Sequence, residues 1–160
     1  MIYSSAGQVN TIVPYGVAGT TTRVQVVYQG RTTNTITMPM AAASPGIFAI
    51  TNQDGQVNSA SNGAAAGSIL ILYATGEGQT SPAGIDGNVA NSVFPKPILP
   101  VTVQIGTQAG TVLYAGAAPG FVSGVLQVNV QLPAGLRGTQ PLQLRIGSAT
   151  TPTGINVTIR

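Results

Sequence analysis

Ionisable side chains are scarce in this chain. Asp54, Glu77 and Asp86 are its only carboxylates, Lys96 is its only lysine, and it has neither His nor Cys. Without imidazole or thiol, no Ser-His-Asp or Cys-His nucleophile system can be assembled. Zinc sites built on His and Cys are excluded for the same reason, and so are disulfides. A glycosidase needs two carboxyl groups facing each other across a cleft. Glu77 and Asp86 lie in one loop-like stretch and are the only pair with that prospect. Solvated loop acids beside turn glycines are the simpler expectation. Calcium takes six to eight oxygen ligands, usually from clustered acids, so these two would make a weak site at best. Asp54-Gly55 is a hairpin-turn signal rather than a ligand pair. Gly76-Glu77-Gly78 lacks the length, the lysine and the following helix of a phosphate loop. Lys96 has Asn88, Asn91 and Glu77 as conceivable partners for a covalent crosslink, but an exposed lysine in a Pro-rich loop is the plainer expectation. Tyr3, Tyr15, Tyr28, Tyr73 and Tyr114 offer ring faces for sugars, yet Tyr73 and Tyr114 end apolar runs and are expected in a core or corner. No catalytic, cofactor-binding or metal-binding residue is assigned. The chain is expected not to be an enzyme and to need no cofactor.

The elements that would carry any site are strands. Apolar residues make up 43% of the 160 and charged residues 6%, against about 25% charged in an ordinary domain. Val, Ile and Thr dominate the periodic segments and suit a pleated surface. No long window has helical spacing, so the fold class is all-β. The net charge of +3 rests on scattered cations, Arg23, Arg31, Lys96, Arg137, Arg145 and Arg160. Phosphate binding needs a basic stripe, so no nucleic-acid partner is expected. No apolar run reaches the roughly 18 residues of a membrane span. Met1-Ile2-Tyr3-Ser4-Ser5 does not resemble a signal peptide. An exported protein is expected from the sparse Lys and abundant Thr, Asn, Gln and Gly, its signal removed or outside this chain.

Alternation and turn chemistry place strands at 8–13, 23–28, 34–40, 47–50, 68–73, 101–105, 111–115, 125–132, 141–146 and 154–159. Ser68 to Tyr73 is the most apolar run and the candidate central strand. Gly76 to Pro100 is expected to be an ordered excursion whose Phe94, Ile98 and Leu99 are buried.

One segment occurs twice. Gln8-Val9-Asn10, Pro14, Gly16, Gly19 and Thr20 recur as Gln127-Val128-Asn129, Pro133, Gly135, Gly138 and Thr139. Val24-Gln25-Val26 answers Leu142-Gln143-Leu144, and Ile36-Thr37-Met38 answers Val157-Thr158-Ile159. Upstream, Met1-Ile2-Tyr3 answers Val112-Leu113-Tyr114. The second copy follows some sixty residues of strand-like sequence and the first follows none. Two β units are therefore expected: 1–46, lacking its first strands, and 47–160, a complete sandwich of seven or eight strands. Four short strands make one sheet with an apolar face and no partner sheet.

Several motifs in fixed order resemble one family. They are Ser44-Pro45-Gly46-Ile47-Phe48, Asn52-Gln53-Asp54-Gly55 with Asn58-Ser59, and Leu72-Tyr73-Ala74-Thr75-Gly76-Glu77-Gly78. Val112 to Gly120, Leu126-Gln127-Val128-Asn129-Val130 and Pro133 continue the series. The chain resembles the uncharacterised Solibacter-type C-terminal domain of large secreted acidobacterial proteins. The resemblance implies export and Ig-like β-sandwich units, and it carries no catalytic residues. Family members usually begin the first unit with further strands that are absent here. Met1 stands where the family has an internal apolar residue.

These observations lead to an expected function. The chain reads as a non-catalytic extracellular structural protein, an Ig-like subunit whose short first unit is completed by strands of another copy. Open strand edges accept incoming strands, and head-to-tail completion that does not close builds a filament or surface appendage. The expected interface residues are Met1, Ile2 and Tyr3 at one end and Ile155, Val157 and Ile159 at the other. The partner is then a homo-oligomer or homopolymer at the cell surface or in the medium. The alternatives are a module that binds a polysaccharide or cell-surface protein through the 76–100 loop, and a spacer fragment of a longer secreted protein.

Overall fold

The computed structural model describes residues 3–160. It is all-β, with no helix among the described residues. The chain divides into two compact units, Met1–Ala42 and Ala43–Arg160. The division falls a few residues ahead of 46, because Ala43 and Pro45 are buried within the second unit.

The first unit contains β1 (Tyr3–Ser5), β2 (Gln8–Asn10), β3 (Thr21–Val24), β4 (Val27–Tyr28), β5 (Arg31–Thr32) and β6 (Ile36–Pro39). They form three separate antiparallel ladders, β1 with β2, β3 with β6, and β4 with β5. No described side chain of this unit is buried. The expected continuous strand from Arg23 to Tyr28 is broken at Gln25-Val26 into β3 and β4.

The second unit begins with β7 (Gly46–Asn52), β8 (Ile69–Thr75), β9 (Thr80–Ser81), β10 (Lys96–Pro97) and β11 (Val101–Ile105). It continues with β12 (Gln108–Ala117), β13 (Leu126–Gln131), β14 (Gly138–Ile146), β15 (Ala149–Thr150) and β16 (Asn156–Ile159). Eight strands join in the order β15-β14-β11-β12-β13-β8-β7, with β16 also on β14. Two long strands let this sheet curl around one core. β12 pairs with β11 over Gln108–Gly110 and with β13 over Thr111–Ala117, with a bulge at Leu113 inside the second ladder. Likewise β14 pairs with β16 over Gly138–Pro141 and with β11 over Leu142–Ile146. The bulge at Leu113 adds a local bend to β12.

Period-2 alternation then fills the core. Leu70, Leu72 and Ala74 of β8, Val103 and Ile105 of β11, and Leu126, Val128 and Val130 of β13 face inward. Leu142, Leu144 and Ile146 of β14 meet them, with Val157 and Ile159 of β16. Ser68 to Tyr73, the candidate central strand, lies one place in from the sheet edge, between β7 and β13.

The 76–100 stretch is ordered, but it buries less than expected. β9 pairs with β10, and the Ile98 amide donates to the Gln79 carbonyl at 2.9 Å. The extended backbone there sends successive side chains to opposite faces. Leu99 packs against the core while Ile98 stays 65% exposed, and Phe94 is exposed as well.

Gly76 marks the exit from β8. Its φ is +77°, and an added Cβ would overlap the Ser44 carbonyl. That carbonyl belongs to the residue whose own amide donates to Gly76 O at 2.9 Å. Gly76→Ala should therefore destabilise the second unit by about 2 kcal/mol, from the left-handed backbone and the displaced contact together. Urea unfolding followed on this unit measures it, and an unchanged midpoint would show that the Ser44–Gly76 contact is dispensable.

Candidate functional site

The three carboxylates do not gather into one cluster among the described residues. Asp54 caps its own turn: its Oδ1 accepts from the Gln56 amide at 2.9 Å, and the Gly55 amide donates to the Asn52 carbonyl at 2.9 Å. Asp86 is exposed on the 76–100 loop, whereas Glu77 is only 3% exposed. Among the described residues no three His, Cys, Asp or Glu side chains come together as metal ligands. Lys96 is exposed on β10, unlike the buried Glu77. The hollows beside β11 and β14 are shallow and open, and no acid lines them.

Tyr114 lies within β12, partly buried. Its hydroxyl donates to the Ala117 carbonyl at 2.7 Å. Gly116 leaves the space for this, since a Cβ there would meet Tyr114 Oη at 2.8 Å. Burial, and then the negative charge of Glu77, hold the Tyr114 phenol above its ordinary value of 10.0. The folded chain therefore keeps this proton more tightly than the unfolded chain does. The stability linked to it is intact below pH 10.0 and is lost as pH rises through the folded value. A phenolate absorbance titration should show a step above pH 10.0 that Tyr114→Phe removes. Glu77→Gln should bring that step part of the way back, with burial retaining the rest. A single sharp step in both proteins would refute the assignment.

Tyr73 does not point into the core. It lies half-buried on the outer face of β8, between Phe48 and Phe121, with ring centroids 6.5 and 5.6 Å away. Phe48 reaches that face because the β7–β8 register shifts between Ile47 and Ala49. Phe48 and Phe121 were not legible as a pair, since only the fold joins positions so far apart in sequence.

The expected interface residues separate into three groups. Met1 and Ile2 lie outside the described residues. Tyr3 sits in β1, paired with Asn10, and is 51% exposed. Ile155 packs against the second unit's core, and Val157 and Ile159 are buried in it at 1% and 2% exposure. A strand in that position cannot serve another unit without emptying its own core. β16 is therefore corrected from donor strand to structural strand.

The most informative surface is the first unit itself, because the second unit contains its counterpart. Tyr3, Ser4 and Ser5 stand opposite Asn10, Val9 and Gln8, as Tyr114, Ala115 and Gly116 stand opposite Asn129, Val128 and Gln127. The Val17 amide donates to the Pro14 carbonyl as that of Leu136 donates to Pro133. Val27 faces Thr32 and Tyr28 faces Arg31, as Arg145 faces Thr150 and Ile146 faces Ala149. Even a side-chain cap recurs. Thr33 Oγ1 accepts from the Val26 amide at 3.0 Å, and Thr151 Oγ1 from the Leu144 amide at 3.2 Å. Gln29, with φ +48°, stands where the second unit has Gly147 at +59°.

The repeat corrects one expected correspondence. Ile36 lies across from Val24, and the Leu142 amide donates to the Ile155 carbonyl at 2.9 Å. Ile36 thus answers Ile155, and Met38 answers Val157 rather than Ile159. The described part of the first unit is therefore the counterpart of β12 to β16, without equivalents of β7, β8 and β11 among the described residues. Its apolar positions are those that form the second unit's core, but they face solvent. Val9 is 44% exposed against 0% for Val128, Val26 40% against 0% for Leu144, and Tyr28 70% against 0% for Ile146. The break between β3 and β4 has the same cause. β14 runs unbroken because β11 pairs with Leu142–Ile146, and Val24–Tyr28 has no such neighbour among the described residues.

Comparisons with protein-family models, with curated proteins and with solved structures gave no match.

Proposed function

We propose that this protein is a non-catalytic, exported structural subunit of a filament or surface appendage, and that its first unit is completed there by strands from outside residues 3–160. The observation that carries this is the repeat. Val9, Val24, Val26, Tyr28 and Met38 are 40–70% exposed, while Val128, Leu142, Leu144, Ile146 and Val157 at the matching positions are buried. Covering five such side chains is worth on the order of 10 kcal/mol before ordering costs. Incoming strands would also satisfy the open edges of β2 and of β3–β4. The second unit's pairing supports the Ig-like part of the proposal. Its orders β7-β8-β13-β12 and β11-β14-β16 are those of a seven-stranded immunoglobulin-type sandwich. The resemblance to the Solibacter-type C-terminal domain adds export and a cell-surface setting.

Light scattering after size exclusion, with electron microscopy of the same fractions, tests the proposal. Species larger than a monomer that persist on dilution are expected. A stable monomer at every concentration would overturn the assembly.

One observation favours a second function. The Phe48–Tyr73–Phe121 row is an exposed aromatic surface next to Gln127, which lies opposite Tyr73 in the ladder. Ring faces with a neighbouring amide suit a neutral polysaccharide. Glycan-array binding that Phe121→Ala removes would favour this accessory role, and a blank array would dismiss it.

A further inference from the structure

We infer that the first unit carries two strand-shaped binding slots, one beside β2 and one beside β3–β4, and that their ligand is an uncharged, apolar two-strand polypeptide segment patterned like β8 and β11. The inference rests on the strand-complementation proposal and specifies its ligand. The second unit shows what occupies the matching places. β8 runs antiparallel to β13, with Tyr73, Leu72 and Ile71 opposite Gln127, Val128 and Asn129. By the shared register, the first slot sets the ligand against Gln8, Val9 and Asn10. β11 runs antiparallel to β14, with Ile105, Val103 and Val101 opposite Leu142, Leu144 and Ile146. The second slot then runs along Val24, Val26 and Tyr28.

The chemistry of the ligand follows from those lining residues. Neither β8 nor β11 contains a charged residue. A charge facing Val9 or Val26 would be buried without a partner. Volume refines the match, because close packing conserves it across facing positions. Val9 is the same residue type as Val128, so a β8-like strand fits the first slot unchanged. Val24 and Val26 are smaller than Leu142 and Leu144, while Tyr28 is larger than Ile146. The second strand therefore has bulkier residues than Ile105 and Val103 facing Val24 and Val26, and a smaller one than Val101 facing Tyr28. The first slot gives the cleaner test.

The probe is a synthetic peptide of residues 68–76 with lysines added at both ends, mixed with the full-length chain. The readouts are amide hydrogen exchange and assembly size. In the unassembled chain, held monomeric by dilution or mild urea, exchange in β2 should slow by about tenfold or more, as expected for edge amides newly paired in a ladder. Exchange in β13 should not change, because its own slot is filled. Assemblies should shrink. A control peptide carrying Leu70→Glu and Leu72→Glu should do none of this. Val9→Glu in the protein should abolish the effect, with unchanged β13 exchange showing that the second unit remains folded.

The outcomes separate the two ideas. Peptide protection of β2 in a protein that never assembles would remove the filament and keep the slots. Assembly at high concentration with β2 of the monomeric chain unaffected by the peptide would keep the assembly and overturn the slots. Equal action of the control peptide would also overturn them. Neither assembly nor protection would overturn both.

Discussion

Leu144→Ala should destabilise the second unit by about 2–5 kcal/mol, whereas Val26→Ala at the matching position should cost the unassembled chain less than about 0.5 kcal/mol. The two residues share their backbone environment. Each amide donates to the hydroxyl of a threonine seven residues later, and each carbonyl accepts from that threonine's amide at 2.9 Å. They differ in what lies above them. Leu144 is 0% exposed among Val103, Val128 and other core side chains, so its removal leaves a cavity. Val26 is 40% exposed, and water already occupies the space that truncation would open. Unfolding of two units is not a single transition. Hydrogen exchange resolved by segment is therefore the measurement of choice. Equal losses at both positions would mean that the first unit has a core of its own. In the proposed assembly the Val26→Ala cost should rise, because the side chain would then be covered.

The second large effect is expected on the proposed assembly. Val9→Glu should weaken it by at least about a hundredfold, since burying an unpaired carboxylate costs several kcal/mol and each 1.4 kcal/mol is a factor of ten. Gln8→Glu should change it little. Gln8 is next to Val9 on the same short strand, but successive side chains of a strand point to opposite faces. Gln8 matches Gln127, whose neighbour Val128 turns into the core while Gln127 stays partly exposed. A charge of the same sign one residue away is therefore a control for net charge and for general damage to β2. Sedimentation velocity of the two variants at matched concentrations measures the difference. Equal weakening by both would point to charge repulsion between subunits and away from a covered apolar face. No weakening by either would place the assembly contact elsewhere.

Much of the architecture was legible because strands write themselves in short-range alternation. Val101-Thr102-Val103-Gln104-Ile105 was read as a strand with the bounds that β11 has. Asp54-Gly55 was read as a turn, and Gly55 has the positive φ, +81°, that such a turn requires. The duplicated segment, too, was visible from residue types alone, because Pro14, Gly16 and Gly19 and their repeats are turn residues with few substitutes. Other features depended on neighbours distant in sequence. Arg23 to Tyr28 alternates like one strand, yet splits into β3 and β4. Ile98 is as apolar as Leu99 but faces outward, because the ladder fixes which of two successive residues turns in. Phe48 joins Tyr73 and Phe121 through a bulge that no local pattern announces. The burial of Glu77 was likewise missed, since its glycine neighbours suggested a solvated turn.

Residue types and their order determined by themselves that this chain folds as sheets, that it has no His- or Cys-based chemistry, and that one β segment appears twice. Those conclusions need only composition and contacts between near neighbours. Which copy hides its apolar side chains was decided by tertiary structure alone. Val9 and Val128 are the same residue in the same local sequence, and one is exposed while the other is sealed. The difference lies in β8, whose Leu72 sits opposite Val128 from more than fifty residues upstream. Burial is a property of what arrives from elsewhere in the chain, and no stretch of local sequence encodes it.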